Sequence, residues 1–173
     1  MAAPALRQQI RPSIWTVDPS QSTATFAVRS FASTVRGKIP INSATVQVGE
    51  DGTVVAVSAE LNPAGFLTGN PRRDAHIRSA DFFDAESYPT LTFSAAKVVA
   101  GSGGWTVDGK LVIKGAETPV RLTAEAGDIT GDLALVRASG EVDRRAAGLT
   151  KLPNLVIGRT LKITLDVTFR RVS

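Results

Sequence analysis

The chain has no cysteine, one histidine, one tyrosine and one methionine, and aromatic residues make up only 6% of its 173 residues. Without cysteine there is no disulfide, no thiol nucleophile and no thiolate-bound metal. A single histidine, His76, with scattered carboxylates does not supply the clustered ligands of a closed metal site. No Gly-x-Ser-x-Gly elbow is present. Gly101-Ser102-Gly103-Gly104 lacks the Gly-Lys-Ser/Thr of a phosphate-binding loop and reads as a hairpin turn. Asp74 and His76 are the best acid–base pair on offer, yet residues two apart on a helical turn do not face each other. The expectation is a protein without enzymatic activity, cofactor or metal. Nor is there a run of about eighteen apolar residues to span a membrane. Residues 1–12 carry Arg7 and Arg11 but no apolar stretch of leader length. Read as given, the chain belongs in the cytoplasm, with no stable membrane insertion.

What is present is ordinary for a globular protein: 43% hydrophobic and 21% charged residues. The length suits one domain with a sizeable core, here placed at residues 14–173 behind a polar tail at 1–13. The net charge of +4 favours anionic partners of any kind. The arginines come as separated pairs (Arg72-Arg73, Arg144-Arg145, Arg170-Arg171), without the dense basic run and interleaved aromatics that nucleic acid needs. No nucleic-acid partner is expected.

From Trp15 onward the hydrophobic period is two. Ala24, Phe26 and Val28 alternate with Thr23, Thr25 and Arg29. Val55, Val57, Ala59 and Leu61 follow the Glu50-Asp51-Gly52 turn signal. Leu91, Phe93, Ala95, Lys97 and Val99 make a long strand, Trp105 to Ile113 returns, and Val120, Leu122, Ala124 and Ala126 follow. Leu133, Leu135, Arg137 and Ser139 lead to Val142. Leu161, Ile163, Leu165, Val167 and Phe169 close the chain with its cleanest alternation. Strand after strand with tight turns implies an all-β antiparallel sandwich or barrel, and periodicity leaves the choice between them open.

One stretch breaks this pattern. Asn70 to Phe93 holds His76, Tyr88 and the Phe82-Phe83 pair, and it reads as a short helical excursion around residues 71–84. Asn70 caps it, Pro71 takes the first helical position, and Ser79 can cap a second turn through Ala80–Phe83. Arg73, Asp74, His76 and Arg78 fit either a solvated ion-pair network or a polar rim that faces an anionic head group.

These residues also carry a resemblance. Arg73-Asp74-Ala75-His76-Ile77-Arg78, then Phe82-Phe83-Asp84, then Tyr88-Pro89-Thr90-Leu91-Thr92-Phe93 closely resembles the signature of the YceI-like family of bacterial, lipocalin-like, polyisoprenoid-binding proteins. Trp15-Thr16-Val17-Asp18-Pro19, Asp108-Gly109-Lys110-Leu111 and Val142-Asp143-Arg144-Arg145 match it further, over about residues 14–170. Ala147 stands where the family usually holds an aromatic. Members are often exported, so a periplasmic or extracellular place is implied if a leader has been removed, and some relatives are dimers, so a homodimer is admitted.

The resemblance implies an eight-stranded antiparallel lipocalin-like barrel. It also implies binding, transport or storage of a long-chain isoprenoid or other amphiphilic lipid, of the polyprenyl phosphate or quinone class, in the lumen. The inward candidates are Phe26, Val28, Val57, Leu61, Phe93, Leu111, Ile113, Leu122, Val142, Ile163 and Leu165. The candidates for the mouth and head group are Arg73, Asp74, His76, Arg78, Phe82 and Phe83. The alternative is a barrel filled by its own side chains, a structural or stress-related interaction protein without a small-molecule ligand.

Overall fold

The computed structural model describes residues 12–30, 33–150 and 158–172. Ten strands follow in order: β1 (Ser13–Val17), β2 (Thr23–Ser30), β3 (Ser33–Ile39), β4 (Ile41–Val48), β5 (Val54–Leu61), β6 (Leu91–Ala100), β7 (Trp105–Ile113), β8 (Ala116–Thr130), β9 (Leu133–Asp143) and β10 (Thr160–Arg171). One α-helix among the described residues, α1 (Pro71–Arg78), lies between β5 and β6. β1 begins at Ser13, the last residue assigned to the N-terminal tail; residues 1–11 lie outside the described residues.

Ten strands make eight staves, because two staves are broken. β1 and β2 are halves of one, parted by a 3-10 turn at Pro19–Gln21. β10 pairs with β2 from Lys162↔Ala27 to Asp166↔Thr23 and with β1 from Val17↔Phe169 to Trp15↔Arg171. β3 and β4 are halves of another, parted at Pro40, which has no N–H to give to a ladder. β3 pairs with β2, and β4 with β1. The remaining strands pair with their neighbours in sequence, and the β1–β10 ladder closes an all-antiparallel, eight-stave barrel. The break in the first stave is pinned from both sides. Asp18 accepts from the Ser20 N–H at 3.1 Å, and the Thr168 N–H of β10 donates to the Ser22 hydroxyl at 3.0 Å.

The helical excursion is shorter than its sequence suggests. Asn70 caps α1 by accepting from the Arg73 N–H at 3.1 Å, with Pro71 at the first position. Ser79 ends the helix, its N–H donating to the His76 carbonyl. Residues 80–83 form turns, and Asp84 is left-handed at φ 48°. The second helical turn therefore does not form.

Besides one between Ile41 and Ser43 on β4, three register shifts decide which side chains face the lumen, and here strict alternation misleads. The shift between Gln47 and Val48, opposite Ala56 and Val54, turns Val55 outward and Val54 inward. The shift between Ala95 and Lys97 sends Lys97 and Val99 outside and Val98 inside. The third, between Ala126 and Ile129 on β8, brings Ile129 to the inner face. Each extra residue reverses the parity of the strand beyond it. On β9 the inward set is Ala134, Val136 and Ala138, while Leu133 and Leu135 are exposed beside Arg137.

Glycine is required where an aromatic ring crosses a neighbouring strand. A Cβ at Gly109 would stand 2.5 Å from the Phe93 ring and 2.7 Å from the Ser94 carbonyl oxygen. Gly109→Ala should therefore destabilise the barrel by about 1–3 kcal/mol, read as a lower midpoint in urea unfolding. An unchanged midpoint would show that the β6–β7 ladder gives way freely.

Candidate functional site

The barrel encloses an apolar cavity of about 240 Å³. Of the side chains expected inside, Phe26, Val57, Leu61, Phe93, Leu111, Leu122, Ile163 and Leu165 line it. Val28 lines a separate cleft of about 70 Å³, and Ile113 and Val142 are buried without lining either space. Val57, Val136, Leu165 and Val167 point inward yet are only half-buried, because what they face is the cavity. No charged side chain lines it among the described residues.

Pairing direction orients the cavity. The ends of β5, β7 and β9 and the starts of β6, β8 and β10 share one end of the barrel with α1. The opposite end carries the turns after β4, β6 and β8. Lining residues reach this hairpin end at Gly52 and Gly131, and Ile129, which also lines the cavity, is 39% exposed. Trp15 and Trp105 stand in the wall towards the same end.

The helix end is plugged. Phe26 stands against Phe66 with ring centroids 6.4 Å apart, and Phe66 against Phe83 at 5.6 Å. The Phe66 ring fills the space over Gly37, where a Cβ would come within 2.3 Å. Phe82, Phe83, Leu91, Ile113 and Ala147 complete a buried layer there. Arg144 is buried in the same layer, donating to the carbonyls of Leu149 and Gly158. Burial, aided by neighbouring Arg145 and opposed by Asp143, pulls its pKa below the usual guanidinium value.

The charged residues of α1 do not form a rim on the cavity. None of Arg73, Asp74, His76 and Arg78 lines it, and Phe82 and Phe83 line only the smaller cleft. The polar side chains instead fasten the excursion. Asp74 is buried and accepts from the Thr68 N–H at 2.7 Å and from the Thr68 hydroxyl. Arg73 donates to the same hydroxyl at 2.8 Å. Arg78 donates twice to the Phe66 carbonyl, at 3.1 and 2.6 Å, which holds the plug residue in place. His76 pairs with Asp81 at 3.1 Å and meets the Phe82 ring edge-on at 5.3 Å. The four charged residues of α1 thus stand off the larger cavity, and Arg73, Asp74 and Arg78 clasp the loop that carries Phe66.

Sequence reasoning missed the small inward residues. Ala24, Ala44, Ala59, Ala124, Ala134 and Ala138 line the cavity, and their short side chains leave it empty. Parity against charged neighbours identifies some of them: Arg137 and Glu141 must face water on β9, which turns Ala134 and Ala138 inward.

A YceI-like domain model matches residues 15–169. A UPF0312 protein of Vibrio cholerae is 44% identical over 71 residues, which cover 40% of this chain and 38% of that protein. The match thus spans well under half the length of this curated relative. Among solved structures, Burkholderia cenocepacia BcnA superposes with TM-score 0.79 at 19% identity, over 88% of this chain and 98% of that one. A polyisoprenoid binding domain from Saccharophagus degradans superposes with TM-score 0.71 at 13% identity, over 91% and 98%. At these identities the likeness is one of fold.

The Asp74 network carries a pH signature. Burial raises the Asp74 pKa, but the hydrogen bonds from Thr68 and the charges of Arg78 and Arg73 outweigh it, and the value falls below the ordinary 3.8. A carboxyl held lower in the folded state stabilises the protein above the unfolded pKa, and that contribution is lost as pH falls through the folded one. Wild type should therefore lose stability between about pH 4 and its acid limit. Asp74→Asn should flatten that acid slope and lower stability at neutral pH by about 1–3 kcal/mol. Parallel urea titrations of the two proteins at neutral and acid pH would show it, and identical acid slopes would rule it out.

Proposed function

This chain belongs to the YceI-like domain family, and on that premise we propose that its lumen binds one long-chain isoprenoid or other amphiphilic lipid, of the polyprenyl phosphate or quinone class, for carriage or storage. The observation that carries the reading is the uncharged 240 Å³ cavity whose inward apolar side chains are left half-buried. Half-buried apolar surface turned to an interior space gains by contact with a hydrocarbon chain. Each buried methylene contributes about 0.8 kcal/mol, so a stretch of roughly ten carbons supplies about 8 kcal/mol before costs. Ordering the flexible chain offsets part of this.

The tail points to the plug and the polar head stays at the hairpin end. There Arg171 lies over the Trp15 ring, 6.0 Å from its centroid, and pairs with Asp132 at 2.8 Å. Arg171 is the cation placed to meet a phosphate or a quinone carbonyl. His76 has no part in this, being held by Asp81 on the plugged end.

Phe26 sets the depth of the site, since it lines both the cavity and the 70 Å³ cleft behind it. Phe26→Ala should join the two spaces and shift preference to a longer chain, with Phe26→Leu moving it less far. Competition within a series of prenols of increasing length measures the shift, and an unchanged optimum in both variants would remove Phe26 as the floor.

The binding itself is tested by extracting the purified protein with organic solvent and analysing the extract by mass spectrometry. A stoichiometric long-chain lipid is the expected result, with His76→Ala keeping the same affinity between about pH 5 and 8. A clean extract that stays clean after incubation with polyprenyl phosphates and quinones would favour the filled-barrel interaction protein.

A further inference from the structure

Four of the lumen alanines form two facing pairs. Ala44 on β4 is paired directly with Ala59 on β5, and Ala124 on β8 with Ala138 on β9, and all four line the cavity. With the β1/β2 stave counted first, these are the second and third staves and the sixth and seventh, so the pairs stand on opposite walls. Register also puts them at one level. The ladder through Ala44 and Ala59 runs on by Phe93 and Leu111 to Thr118, which lies six residues from Ala124 on the helix-end side. The ladder through Ala124 and Ala138 runs on by Leu165 and Ala24 to Ile39, which lies five residues from Ala44 on the same side. Tilted strands carry each ladder down the axis as it circles the barrel. Near-equal offsets on opposite staves therefore leave the two pairs level.

The walls between them are bulky at that height. On β6 and β7 the cavity meets Phe93, whose ring lies across Gly109, and Val107; Ala95 is buried and does not line it. On β10 it meets Leu165 and Val167. The lumen is thus a slot at its waist, wide from alanine pair to alanine pair and narrow across.

We propose that this alanine waist selects a methyl-branched isoprenoid chain over a straight acyl chain; the proposal deepens the lumen reading and rests on it. An isoprenoid unit is flat, because the substituents of its double bond share one plane, and the methyl branch widens the chain within that plane. Such a ribbon lies in the slot with its branches over the alanines and its faces against Phe93 and Leu165. A straight chain leaves the space over the alanines bare and forgoes those contacts. The selection acts on the tail and is independent of the head group.

Competition between farnesol and pentadecan-1-ol, which have the same number of carbons and the same hydroxyl head, tests this on the full chain. Wild type should bind farnesol about tenfold more tightly, the return on a few seated methyls. Ala59→Val combined with Ala138→Val adds methyls to both wide walls, pointing into empty space, so the urea midpoint should stay level or rise. The preference should fall to near one, and each single variant should remove about half of it on a logarithmic scale. Equal wild-type affinities for the two alcohols would overturn the waist and leave the lumen reading standing. A preference that survives in the double variant, or a loss of both alcohols in the same proportion, would overturn it too. Failure of wild type to bind either alcohol would remove the lumen reading and the waist with it.

Discussion

β10 is paired with two different halves of one stave, and the rest of the molecule depends on that double pairing. Its first half lies against β2 and its last residues against β1, with β9 along the whole opposite edge. Because side chains in a ladder share a face with their direct partners, this one strand fixes which of Trp15, Ala24 and Phe26 point inward. It also leaves no free edge on the sheet at that seam, which removes the hazard of an exposed ladder. The price of closure is the break at Pro19–Gln21, and Asp18, Ser22 and Thr168 satisfy the polar groups that the break would strand.

Within the closed barrel the two ends are built from different residues. Aromatic and large aliphatic side chains fill the helix end, where Phe66 lies over Gly37 and Phe83 packs behind it. Alanines line much of the remainder, and a wall of alanines at the spacing of a barrel cannot meet across the middle. A cavity is therefore a consequence of side-chain size along β2, β4, β5, β8 and β9, independent of any ligand. The charged turn of α1 serves the full end: Arg78 holds the Phe66 carbonyl, and Asp74 and Arg73 hold Thr68, so that the loop carrying Phe66 is tied to the helix that follows it.

The fold was largely legible in the chain. Alternation located the strands, Asn70 and Pro71 located the helix start, and the Arg73–Phe93 motif implied a barrel where periodicity alone left a sandwich open. The lumen was partly legible, for a physical reason. Alternation is reliable only up to the next bulge: it puts Val55 on one face with Val57 and Leu61, and a register shift turns Val55 outward. A large hydrophobe draws attention and an alanine does not, which hid Ala134 and Ala138 behind Leu133 and Leu135. The charged turn stayed open between an ion-pair network and a head-group rim, because charge density in a sequence fits both. In Asp74, 4% exposed, it is the sign of a buried network, and spacing along a helix does not reveal whether a carboxylate finds its donors in water or in a loop six residues earlier.

The tilted rings of Phe26, Phe66 and Phe83 have a kinetic meaning as well. A sleeve sewn shut at its foot has no throughput: on the proposed reading, a ligand that slid in by its tail would have to back out by its head, through the opening it came from. Residence is then governed by the depth of insertion, because the slow step is withdrawal of the whole threaded length. On the proposed lumen reading, such a molecule would load and unload by exchange at a single doorway, a vessel where an open tube would be a conduit.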